Sequence, residues 1–268
     1  MSFQGIVWWL VLIAVASYFY GNVNNAVLIS AILGKDVRKE GSGNPGTLNM
    51  SRVFGIKIGA LVLVLDILKG TVPALIARLC FGNATFLGGE LPVGTFASAL
   101  AGLFVVTGHI FPVIYGFKGG KGVACTFGMF VFHPNCWWVS LVVFVCCFIL
   151  FLFVDYPFLV SLTFMFVMSV FATCWFTINT YALATMLVAI LVCWLDFFFV
   201  VYLHRGNIKR LINGNENKVH LLDKLCKKKK TKSATETQPT EVAEENVEES
   251  TQPASETEVS EEAQPTQE

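Results

Sequence analysis

A chain of 268 residues with 54% apolar side chains, 24 phenylalanines and a mean hydropathy of +0.63 does not read as a soluble globular protein. Such values belong to chains that live in a bilayer. The formal net charge of zero conceals two unlike regions: residues 1–232 carry all 19 Lys and Arg against 8 Asp and Glu, whereas 233–268 carry 11 Glu and no base.

Apolar runs predict an all-α, polytopic membrane protein of about seven helices, at roughly 4–34, 55–82, 92–116, 121–135, 137–154, 157–176 and 180–203. The fourth is short enough to be re-entrant. The first run, "GIVWWLVLIAVASYFYG", has no basic start and exceeds a signal-peptide core, so it is expected to stay as a span. Basic residues mark alternate connections: Lys35, Arg38, Lys39, Arg52 and Lys57 in the first, Lys118 and Lys121 in the third, Arg205, Lys209 and Arg210 after the last. The connections near 83–91, 136 and 177–179 hold only Glu90. With an odd span count, the positive-inside bias places the N-terminus outside and the basic connections in the cytoplasm.

Domain organisation follows: a membrane-embedded body over 1–219, a basic juxtamembrane segment over 220–232, and an acidic tail over 233–268. The tail has no Ile, Leu or aromatic residue to offset its ordering entropy and is expected to be disordered. Eight cysteines, without C-x-x-C or metal spacing to histidine, read as small buried hydrophobes. No metal, no cofactor and no nucleic-acid partner is expected.

Three polar stretches interrupt this apolar pattern. The first, Gly41-Ser42-Gly43-Asn44-Pro45-Gly46, can adopt positive φ at its glycines and turn successive amides toward an anion. Ser42 adds a hydroxyl, Asn44 and Asn49 add amides, and Arg52 adds a planar fork suited to phosphate. Taken alone, such a stretch is more often a plain turn. The second, "GHIFPVIYGFKGGKGVA", flanks Lys121 with Gly119, Gly120 and Gly122 just before an apolar helix, where a helix N-terminus favours negative charge. It lacks Walker A spacing, so nucleotide hydrolysis is a poor reading. His109 in the same run reads as a structural histidine. The third, "HRGNIKRLINGNE", repeats His204, Asn207 and Arg210 at helical three-residue spacing. Glu216 reads as a partner for its arginines, and Asp66 with Lys69 as a neutralised pair on one helix face.

Together these segments, with "LDILKG", resemble the bacterial acyl-phosphate:glycerol-3-phosphate acyltransferases, the PlsY family, in order and spacing over roughly residues 15–219. The resemblance implies a multi-pass plasma-membrane enzyme with its site on the cytoplasmic face. It implies transfer of an acyl group from acyl phosphate to the 1-hydroxyl of glycerol-3-phosphate, the first acylation of phospholipid synthesis. The products would be lysophosphatidic acid and phosphate. The partners so implied are the two substrates, membrane lipid and the soluble enzyme that makes acyl phosphate. By the same likeness Ser42, Arg52, Lys121, His204 and Asn207 are the catalytic set. Gly41, Gly43, Asn44 and Asn49 are expected from their own chemistry to bind phosphate, and the likeness implies the same for Gly119, Gly120 and Gly122. Asp66 and Lys69 are expected to give structural support, as the likeness implies for Glu216. The chain departs from the pattern at "YGNVNNAVLIS", at Leu48, and at Phe164 after Ser161. A membrane carrier of a phosphorylated solute is the rival reading from another class.

Overall fold

A computed structural model describes residues 3–82, 84–86, 91–131, 137–178, 183–216 and 218–219. The acidic tail, the basic segment from 220 onward, and the connections at Glu90, 136 and 179 fall outside the described residues.

The expected first span is two helices, α1 (Phe3–Asn22) and α2 (Asn25–Ile32). The break has identifiable causes. Asn24 is extended, and its side-chain oxygen caps α2 by accepting the Val27 N–H at 3.1 Å. The Lys69 ammonium donates to the Val23 carbonyl that the break leaves open, and Asn25 donates to Asp66 Oδ1 at 2.8 Å. Asp66 and Lys69 are 3.6 Å apart and both about 3% exposed, so the buried ion pair holds a helix interruption open.

The polar stretch before the second span contains a further helix, α3 (Thr47–Phe54), ended by Gly55 at φ 89. Then follow α4 (Ile56–Phe81), a two-residue antiparallel pairing of Thr85–Phe86 with Leu91–Pro92, and α5 (Val93–Ile110). α6 (Val123–Val131), α7 (Trp137–Phe153), α8 (Pro157–Ile178), α9 (Leu183–Leu203) and α10 (Arg205–Ile212) complete the order. Among the described residues five helical stretches are long and apolar enough to cross a membrane, and α7 adds a shorter apolar helix. The expectation was seven. α6, nine residues long, covers less than half of a bilayer core at 1.5 Å per residue, and lies among other helices instead.

Small residues bring these helices together. A Cβ on Gly21 of α1 would overlap the Val105 carbonyl of α5, and one on Gly108 would overlap the Tyr18 carbonyl. Gly70 of α4 and Gly128 of α6 meet the backbone of Cys125 and Ile67 in the same way. Lipid offers no hydrophobic drive between helices, so this close backbone approach supplies dispersion contact in its place. Phe127, Phe130, Phe164, Met165 and Met168 fill the larger cluster, built from α6 to α9. Ala26, Val37, Met50 and Val62 form a second beneath the first polar stretch, which gives that loop a fixed floor.

Candidate active site

The first loop is shaped from within. Gly41 and Gly43 take φ of 57° and 70°, which only glycine adopts without strain. Asn49 is 1% exposed, and its whole amide is committed to the loop. Its Oδ1 accepts the Ser42 N–H at 2.9 Å, and its Nδ2 donates to the Glu40 carbonyl at 2.9 Å and the Val37 carbonyl at 3.1 Å. The Gly43 N–H donates to the Glu40 carbonyl at 2.9 Å. Asn49, expected on a phosphate, is therefore the brace of the turn. Ser42 and Arg52 remain solvent-exposed, the arginine in the last turn of α3.

The second loop departs from expectation in a related way. The Gly119 and Gly120 N–H groups donate to the Ile110 and His109 carbonyls, each at 3.1 Å, and so close the neck of the 111–118 excursion on the end of α5. Neither amide faces outward for a phosphate. These glycines are needed because a Cβ on Gly119 would overlap the His109 carbonyl, and one on Gly120 would overlap the His109 ring. What the tight neck delivers is Lys121, followed by Gly122 at φ 81 and the start of α6.

The third stretch meets the second directly. Lys121 Nζ donates to Asn207 Oδ1 at 2.7 Å, and Asn207 Nδ2 donates to Glu216 Oε1 at 2.7 Å. Glu216 Oε2 accepts from Arg210 Nε, also at 2.7 Å. The chain after α10 turns back to make this possible, and the Val219 N–H reaches the Asp155 carbonyl between α7 and α8. Burial pushes the Lys121 ammonium down to about 8, and the Arg210 and Arg52 cations push it the same way against the pull of Glu216. Arg52 thus acts on Lys121 through space. Among the described residues no hydrogen bond joins Ser42 or Asn44 to Lys121, His204 or Asn207.

His204, between α9 and α10, is 3% exposed. Its Nδ1 lies 2.8 Å from the Val200 carbonyl, an acceptor only, so Nδ1 bears the proton and Nε2 the lone pair. Burial, then the nearby Lys121 charge, hold the imidazole down at about 4, against the Val200 carbonyl and Glu216. The ring is neutral at pH 7. Phe158, at the start of α8, stacks on it with ring centroids 6.1 Å apart and planes 23° apart. No sequence signal pointed to Phe158, because the contact depends on how α8 and α9 pack.

A protein-family model for glycerol-3-phosphate acyltransferase matches residues 11–214. The chain belongs to the glycerol-3-phosphate acyltransferase family. It is 35% identical over 207 residues to a glycerol-3-phosphate acyltransferase of Aquifex aeolicus, covering 77% of this chain and 97% of that one. It is 33% identical over 214 residues to the one of Bacillus subtilis, covering 79% and 98%. The fold matches two crystal structures of PlsY (YgiH), an integral membrane glycerol 3-phosphate acyltransferase. The glycerol 3-phosphate form has a TM-score of 0.65 at 33% identity, covering 81% of this chain and 98% of that one. The lysophosphatidic acid form has 0.63 at 33%, covering 80% and 96%. This family member is a multi-pass membrane protein; the first two polar stretches lie wholly within the matched residues, and the third does so as far as Gly214.

Proposed function

We propose that this protein moves an acyl group from acyl phosphate to the 1-hydroxyl of glycerol-3-phosphate, releasing lysophosphatidic acid and phosphate. The observation that carries the reading is the Lys121–Asn207–Glu216–Arg210 chain beside a neutral His204. It is a fixed, partly buried cation set next to a proton acceptor, with the exposed Arg52 acting on the same lysine. Both substrates carry phosphate, and the donor's leaving group is itself phosphate. Held cations stabilise charge as it grows on the departing oxygens.

An acyl phosphate is already an activated anhydride, so transfer needs no acyl-enzyme. The acceptor hydroxyl attacks the donor carbonyl, the C–O bond to phosphate breaks, and the hydroxyl proton passes to His204 Nε2 or to a substrate phosphate oxygen. Arg52 and Lys121 hold the anions, Ser42 orients one of them by a hydrogen bond, and Asn207 fixes the lysine. The acyl tail lies among the helices. The site faces the cytoplasm with the N-terminus outside, supported by the basic bias of its connections. The soluble enzyme that makes acyl phosphate then has access to it.

The test is the purified protein in detergent with palmitoyl phosphate and glycerol-3-phosphate, followed by release of phosphate and lysophosphatidic acid. Palmitoyl-CoA in place of palmitoyl phosphate should give no product. Equal turnover with palmitoyl-CoA would overturn the donor assignment.

A further inference from the structure

Asp66 on α4, His109 on α5 and Cys125 on α6 are far apart in the chain, and all three are buried. One ligand-capable atom from each lies within 4.8 Å of the others. A carboxylate oxygen, an imidazole nitrogen and a thiol sulfur at that spacing make a mixed donor set for a borderline divalent cation. Among the described residues His109 Nδ1 has no hydrogen-bond partner. Asp196 on α9 has none on either oxygen. Buried polar groups are nearly always bonded, so an orphaned nitrogen on one of the three clustered side chains calls for an explanation.

We propose that Asp66, His109 and Cys125 bind a zinc-class divalent cation, tying α4, α5 and α6 together behind the glycine neck. Cys125 gives up its thiol proton to solvent as the sulfur–metal bond forms, so thiolate and carboxylate together set two negative charges against the ion and the Lys69 ammonium. Lys69, 3.6 Å from Asp66 Oδ1, keeps its hydrogen bond to the Val23 carbonyl, and Asn25 stays on Asp66 Oδ1, which leaves Oδ2 for the ion. Spacing along the chain could not show this site, since each ligand comes from a different helix.

The experiment uses the full chain in detergent, titrated with Cd²⁺ as a spectroscopic probe and with Zn²⁺. Wild type should show one tight equivalent of cadmium–thiolate charge-transfer absorbance, and Zn²⁺ should raise its melting temperature by mass action. Cys125→Ala should lose the tight equivalent, with affinity falling more than about 100-fold, beyond the effect of losing an outer-shell partner. The exposed Cys80, Cys146 and Cys174 contribute the same weak background in both proteins. His109→Gln should lower the affinity while leaving Cys125 in place. Equal cadmium stoichiometry and equal zinc-dependent melting in wild type and Cys125→Ala would overturn the proposal. Neither readout depends on activity, so failure here leaves the acyltransferase reading untouched.

Discussion

The Lys121 ammonium and the Asn207 amide oxygen, 86 positions apart in the chain, are joined by a 2.7 Å hydrogen bond. Through it the glycine-flanked lysine and the helix after the last span become one unit. Asn207 needs both ends of its amide, the oxygen for Lys121 and the nitrogen for Glu216. Asn207→Asp keeps the shape but sets a second anion against Glu216 and removes that donor. A charge-assisted hydrogen bond contributes about 1.5–3 kcal/mol, so kcat/KM should fall at least ~10- to 150-fold. Steady-state kinetics with varied glycerol-3-phosphate check this, and near-normal kcat/KM would remove Asn207 from the mechanism.

The pH profile follows from two depressed values. His204, held at about 4, accepts a proton only above that pH, and Lys121, at about 8, stays cationic only below its own. Activity should therefore rise on an acid limb and fall on an alkaline limb near pH 8, with substrate phosphate ionisation near about pH 6 added in between. Lys121→Arg keeps its charge at high pH, so its residual activity should lose the alkaline limb. A limb near pH 8 that survives Lys121→Arg would assign it to another group.

Arg52→Lys should be far more harmful than charge conservation suggests, because lysine lacks the two-pronged geometry for phosphate. Ser42→Ala should lower turnover yet leave measurable activity, since a positioning hydrogen bond is partial help. Kinetics with both substrates, and mass spectrometry of donor-treated enzyme without acceptor, separate the possibilities. An acyl-serine at Ser42 would replace direct attack with a covalent route.

Gly120→Ala tests the neck. Its Cβ would strike the buried His109 ring, which has little room to move. The variant should lose stability and displace Lys121, with the damage partly relieved in the double variant with His109→Ala. Coupling between touching residues of about 0.5–3 kcal/mol is expected from a thermal-melting cycle. Strict additivity would mean that the neck is looser than the structure has it.

Removing residues 233–268 should leave acyl transfer within about tenfold of normal, roughly 1.4 kcal/mol of barrier, because the tail carries no site chemistry. Loss beyond that, with normal membrane insertion, would give the tail a part in turnover.

The amino-acid sequence by itself determined the membrane class and most helix positions. Continuous apolar runs allow a backbone in lipid little besides a helix, and that constraint is local. It also brought Ser42, Arg52, Lys121, His204 and Asn207 into view, because glycine, amide and cation types in a greasy chain carry their own cost and signal. What it could not determine is where each polar group points. Asn49 and the Gly119–Gly120 pair look like anion ligands in one dimension, and only the fold shows their amides bonded to Glu40, Val37, Ile110 and His109. The break at Val23–Asn24 likewise needed Lys69 and Asp66 to arrive from α4. The stacking of Phe158 on His204 needed α8 and α9 in their final register, and the gathering of Asp66, His109 and Cys125 needed three helices. A hydrogen bond is decided by distance and direction between groups, and those exist only after the helices have packed.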